Sequence, residues 1–124
     1  MHESETLRQI AQLRQRVTTL ERLIQEDMTL NSSQITAMTE YASKQFGLSL
    51  FDLLGNCRKA NHVSARTAVV YAARRLGFSL QAIGRKLGKD HSSIIYLLHH
   101  YDHRLATFPE HREAMMAVVN KFKP

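Results

Sequence analysis

The stretch Ser79-Leu-Gln-Ala-Ile-Gly-Arg-Lys-Leu-Gly-Lys-Asp-His-Ser-Ser-Ile-Ile95 contains two helix starts and one helix stop. Ser79 is a capping residue ahead of Leu80, Ile83 and Leu87, which fall on one helical face. Gly88 supplies a left-handed stop. Asp90 then caps a second helix, which Ile94, Ile95, Leu97 and Leu98 anchor to a core. Two short helices joined by Gly88-Lys89 have the proportions of a helix-turn-helix, whose second helix enters the DNA major groove by its N-terminus. His91, Ser92 and Ser93 occupy that first turn, where side chains reach base edges and free backbone amides meet a phosphate.

Working outward, apolar residues recur at intervals of three and four, and only five Gly and two Pro interrupt the 124 residues. This predicts an all-α chain. Ile35, Met38, Tyr41, Ala42 and Phe46 form a helix stopped by Gly47. Ser49 caps a short turn through Leu54. Gly55-Asn-Cys-Arg-Lys-Ala-Asn-His62 reads as a polar, basic loop, and Ser64 as the cap of a long Ala-rich helix, Ala65 to Leu76, stopped by Gly77. The helix from Asp90 carries its pattern to about Leu105. Pro109 opens a terminal helix with Met115, Val118, Val119 and Phe122 facing inward. The expectation is a domain of about six helices over residues 32–124, preceded by a separate N-terminal helix over 1–31.

In that N-terminal segment Ile10, Leu13, Val17, Leu20 and Ile24 alternate in steps of three and four, with Ile and Val at heptad position a and Leu at d. This is a dimer-type seam, with Arg16 at g set to face Glu21 at e of a second copy. The seam ends where Asp27 falls on d. A helix this short is marginal alone, so the stripe either pairs with a second copy, recruits a different protein such as polymerase, or packs on its own domain.

A chain that is 44% hydrophobic and 7% aromatic, with no Trp, supports one modest core. Its single cysteine, Cys57, allows no intramolecular disulfide, and the Met1 start lacks the features of a signal peptide. A cytoplasmic, nucleoid-associated protein is expected. The longest apolar runs, such as Ala68-Val-Val-Tyr-Ala-Ala73, are far short of the roughly 20 residues of a bilayer span. Charge divides the chain: residues 1–31 carry net −1 and residues 32–124 net +7. Between positions 56 and 91, Arg58, Lys59, Arg66, Arg74, Arg75, Arg85, Lys86 and Lys89 stand against the single acid Asp90. So uneven a balance over three successive elements points to a nucleic-acid surface.

The phrases Ser64-Ala-Arg-Thr-Ala-Val-Val-Tyr-Ala-Ala-Arg-Arg-Leu-Gly77 and Ser79-Leu-Gln-Ala-Ile-Gly-Arg-Lys-Leu-Gly-Lys-Asp-His-Ser-Ser93 resemble a known signature. It is that of the C-terminal DNA-binding domain of the bacterial replication initiator DnaA, a Trp-repressor-like helix-turn-helix. Ser-Leu-x-x-Ile-Gly and Asp-His-Ser-Ser are its specific parts, and Phe46-Gly-Leu-Ser-Leu-Phe-Asp-Leu-Leu54 fits the approach to them. The resemblance spans about residues 34–122. It implies base reading by Asp90, His91, Ser92 and Ser93 in the major groove and by Arg58 in the minor groove. It also implies DNA-backbone contact by Arg66 and by Lys89, the basic residue before the Asp-His pair, with Lys59, His99 and His100 as further backbone contacts. The chain departs from the family in carrying Ser92-Ser93 for the usual Thr pair, which removes methyls that would pack on a thymine methyl. Asn56, Cys57, Ala60 and Asn61 dilute its basic loop, and the turns after Leu76 and Leu87 are a residue shorter than usual.

Other chemistry finds little support. Gly84-Arg-Lys-Leu-Gly-Lys-Asp90 is not a phosphate-binding loop, because it has three residues rather than four between its glycines and no Ser or Thr after the Lys. With 124 residues there is no room for an ATPase module. His99 and His103 form an i, i+4 pair without a convincing third ligand in Asp102 or His111. No motif supplies Cys57 with a general base and an orienting partner, and His91, Ser92 and Ser93 point in different directions on a helix. Tyr41, Tyr71 and Tyr101 read as core edge. The chain is therefore expected to be a non-enzymatic binder of double-stranded DNA, without metal, cofactor or membrane partner. A small transcription regulator is favoured, with a replication accessory competing for initiator sites, or a tether whose coil recruits another protein, as alternatives.

Overall fold

A computed structural model describes residues 33–124, and Asn31–Pro124 forms one compact unit. The proposed seam of Ile10, Leu13, Val17, Leu20 and Ile24 lies outside the described residues. Among those described there are seven helices and no strand. They are α1 (33–46), α2 (Leu50–Leu54), α3 (Ala60–Arg75), α4 (Leu80–Leu87), α5 (His91–His99), α6 (Tyr101–Thr107) and α7 (Pro109–Lys121). None of them is long and apolar enough to cross a membrane.

The all-α expectation holds, and α3 is its centre. Ala65, Ala68, Val69, Val70, Ala72 and Ala73 are all buried, so this helix is covered nearly all round rather than along one stripe. Its small side chains let α2, α4, α5, α6 and α7 pack directly against it. Ile35, Met38 and Ala42 of α1, Leu53 of α2 and Met115, Val118 and Val119 of α7 complete the core.

Two boundaries differ from the sequence reading, each for a tertiary reason. Ser64 does not cap α3; the helix starts a turn earlier at Ala60, with Lys59 as a cap that makes no side-chain bond. The Ser64 hydroxyl is fully buried and bonded to His111 Nδ1 (2.8 Å), and it accepts from Arg104 Nε (3.0 Å). Arg104 also donates to the Ala60 carbonyl (2.7 Å), so a cation from α6 holds the first turn of α3. The helix after Asp90 ends at His99 rather than running to Leu105. At His100 the amide is shared between the Tyr96 and Leu97 carbonyls, and the chain resumes as α6 with Tyr101 stacked flat on Tyr71, ring centroids 3.9 Å apart.

The three caps in the second half form as expected. The Ser79 hydroxyl accepts from the Ala82 amide, Asp90 accepts from the Ser93 amide, and Gly88 takes the left-handed conformation at φ 65°. The turn is tight because α4 passes close beneath it. A Cβ on Gly84 would lie 2.7 Å from the Lys89 carbonyl oxygen and 3.4 Å from Ile94 Cγ1. Gly84→Ala in a helix interior normally gains about 1 kcal/mol from propensity. Here the overpacking should outweigh it, lowering stability by about 1–3 kcal/mol in urea unfolding. A midpoint at or above wild type would show that the turn yields without cost.

Candidate nucleic-acid interface

Loop 55–59 and the turn before α5 are far apart in sequence and joined in the structure by Lys89, while Arg66 holds the loop on α3. The Lys89 ammonium, in the turn between α4 and α5, donates to the Gly55 carbonyl (2.8 Å) and to Asn56 Oδ1 (2.6 Å). Arg66, in the second turn of α3, donates from Nε to the Leu53 carbonyl (2.6 Å), from Nη1 to that of Cys57 (2.7 Å) and from Nη2 to that of Asp52 (3.2 Å). All five acceptors are neutral oxygens, so the bonds order the loop without cancelling either charge. Burial lowers the pKa of both cations, and the nearby Arg66 lowers that of Lys89 further. Arg66 stays charged at neutral pH all the same.

Arg66, expected as a DNA-backbone contact, is 6% exposed and grips the loop carbonyls. Its guanidinium gives three of its five N–H donors to the loop and the end of α2. Lys89 is likewise engaged, although part of its side chain reaches solvent. Arg58 and Lys59 follow directly on the gripped residues and are exposed, as are Arg74, Arg75, Arg85 and Lys86. Some of these make local contacts: Arg74 donates to the Phe78 carbonyl (3.0 Å), and Arg75 lies over the Tyr71 ring.

Across the Lys89 bridge, Asp90, His91, Ser92 and Ser93 are all exposed at the N-terminal turn of α5. The geometry changes one part of the sequence reading. The Ser93 amide is not free for a phosphate, because Asp90 Oδ1 accepts from it at 2.8 Å. Hydrogen bonds from the Ser93 hydroxyl and then from its amide hold the Asp90 carboxyl below the usual carboxylate range. An ionised Asp90 keeps acceptor capacity for a base amino group such as that of cytosine, while its negative charge repels phosphate. At the other end of α5, His99 is exposed. The His100 ring is turned back on its own helix, donating from Nδ1 to the Tyr96 carbonyl (2.7 Å) and stacked on Tyr96.

Asn56 and Arg104 hold this arrangement and were missed in the sequence. Asn56 was read only as a dilution of the basic loop, yet it is an acceptor for Lys89 33 residues away. Arg104 reaches across 40 residues to Ser64. Neither partnership leaves a local signal in the sequence.

Residues 35–100 match the model of the bacterial dnaA protein helix-turn-helix family. Curated relatives include three named chromosomal replication initiator protein DnaA or DnaA 2. The one from Tropheryma whipplei (strain Twist) is 43% identical over 58 residues, 46% of this chain and 12% of that protein. The one from Pelobacter propionicus is 35% identical over 78 residues, 61% of this chain and 17% of the relative. DnaA 2 of Chlamydia pneumoniae is 41% identical over 61 residues, covering 48% and 14%. The chain thus spans less than a fifth of the length of these relatives. No solved structure matches it. With its bridged loop, capped recognition helix and matched region coinciding, the chain belongs to the bacterial dnaA protein helix-turn-helix family, and that helix-turn-helix is a DNA-binding one.

Proposed function

We propose that this chain is a sequence-specific reader of double-stranded DNA, with α5 in the major groove and loop 55–59 at the adjacent minor groove. The observation that carries the reading is the Lys89 bridge. It ties Gly55 and Asn56, which lead into the exposed Arg58, to the turn that leads into the exposed polar helix start His91-Ser-Ser93, and this supports a single duplex meeting both. In this reading Arg58, Asp90, His91, Ser92 and Ser93 contact bases, and Lys59, with His99 beyond it, contacts the backbone. The partner is duplex DNA, and no reaction is assigned to the chain.

Two roles follow from occupancy of such sites. Regulation of transcription needs only that a site lie in a promoter. Action at replication sites, as a competitor or accessory, is favoured by the one specific observation that the curated relatives are named as replication initiators. Selection of bound duplexes from a random library at near-physiological salt, followed by sequencing, separates them. A motif close to the site bound by those initiators supports the replication role. An unrelated motif located upstream of genes supports regulation, and recovery of no motif overturns sequence-specific reading.

Against the selected site, His91→Ala and Ser92→Ala should relax base preference by about 1–3 kcal/mol at the positions each reads. Lys59→Ala should instead weaken all duplexes alike and reduce the salt slope by about one. Equal behaviour of the two kinds of variant in filter or anisotropy titrations would show that readers and positioners are wrongly assigned.

Pairing through residues 1–31 completes the proposal. The heptad spacing of Ile10, Leu13, Val17, Leu20 and Ile24 supports it, since joining two readers makes the second engagement intramolecular. Deleting residues 1–30 should leave binding to a single site nearly unchanged and weaken binding to a suitably spaced pair at least tenfold. Equal loss at both would refute pairing. Wild-type behaviour at both would assign the segment to another partner, such as polymerase.

A further inference from the structure

We propose that Lys89 is a positioning residue: it couples the basic loop to the recognition helix and so fixes where Arg58 meets the duplex relative to His91, Ser92 and Ser93. The inference rests on the reading of the chain as a sequence-specific DNA reader and adds how its two contact regions act together. Its basis is the way both ends of the Lys89 side chain are held. At the backbone, the Lys89 amide donates to the Gly84 carbonyl (2.9 Å), and its own carbonyl packs so closely over Gly84 that no Cβ fits between. Asp90, the next residue, is the cap of α5. The stem of Lys89 therefore starts from a point fixed relative to the recognition helix.

At the far end the ammonium has two oxygen partners, at 2.8 and 2.6 Å, on consecutive loop residues 33 and 34 positions away. An ammonium has three donors, and one that gives two of them to the protein is poorly placed to follow a phosphate. The end of α2 and the irregular stretch after it present polar groups at Asp52, Leu53, Gly55, Asn56 and Cys57 that are met from outside. Arg66 meets those at Asp52, Leu53 and Cys57 from the α3 side. Lys89 meets those at Gly55 and Asn56 from the α5 side. Arg66 ties the loop to the core, and Lys89 ties it to the reader.

The first test needs no DNA. Cys57 is the only cysteine and is exposed within the loop, so a nitroxide attached there reports loop motion by electron paramagnetic resonance. Lys89→Gln in the full chain should give a clearly more mobile spectrum with an unchanged thermal unfolding midpoint. An unchanged spectrum overturns the tether. The second test measures binding of wild type, Arg58→Ala, Lys89→Gln and the double variant to the selected duplex and to its single-base-pair substitutions. Wild type should discriminate by about tenfold or more at the base pairs whose discrimination Arg58→Ala abolishes.

Lys89→Gln should cut that discrimination to less than about threefold while keeping discrimination at the base pairs read by α5. The double variant should be no worse than Arg58→Ala alone. If Lys89→Gln instead weakens every duplex by one factor, in both the wild-type and the Arg58→Ala background, Lys89 is a phosphate contact and the proposal is overturned. Failure of wild type to discriminate at all overturns sequence-specific reading itself, a result distinct from either outcome for Lys89.

Discussion

An irregular backbone segment can be held in place only if something satisfies its carbonyl groups, and here two buried or half-buried cations do so. Arg66 and Lys89 converge on residues 52–57 through five neutral oxygens. Carboxylates would have gripped the cations more strongly, and would also have placed negative charge where a phosphate has to approach. Carbonyl and amide oxygens order the loop and leave the local field positive, which suits a surface built to meet a polyanion.

That grip depends on α3. The Arg66 stem is buried because α3 is enclosed by five other helices, and α3 can be enclosed only because its positions are Ala, Val and Ser rather than larger residues. The same enclosure packs both α2, with its following loop, and the helix-turn-helix against α3, so the loop and the helix-turn-helix share a single core. Gly84 performs the equivalent service one level down. Its missing Cβ lets the turn close over α4, which sets the point from which the Lys89 side chain reaches out.

Much of this was legible in the sequence. The caps at Ser49, Ser79 and Asp90 and the left-handed Gly88 lie where local chemistry placed them, because a cap uses donors only two or three residues away. The inward residues of α4, α5 and α7 followed from helical periodicity alone. At Ser64, which does not cap α3, and at Arg66, which grips the loop, residue type points two ways. A serine ahead of an alanine run caps helices often, and an arginine in a basic region is usually exposed. What decided otherwise was His111 and Arg104 for the serine and the loop carbonyls for the arginine, and none of these is a near neighbour in sequence.

By itself the sequence determined that the chain is helical, where most of its helices begin and end, that its charge gathers between positions 56 and 91, and to which family its signature belongs. These properties depend on periodicity, nearest-neighbour capping and composition, all of which are local. Only the tertiary structure decided which of the eight bases face solvent and which turn inward on the loop. It also set the break in the helix at His100 and the adjacency of Gly55 and Asn56 to the turn before α5. Each of those rests on hydrogen bonds or ring stacking between residues 9 to 47 positions apart. Such contacts form only once the core has brought their partners within reach.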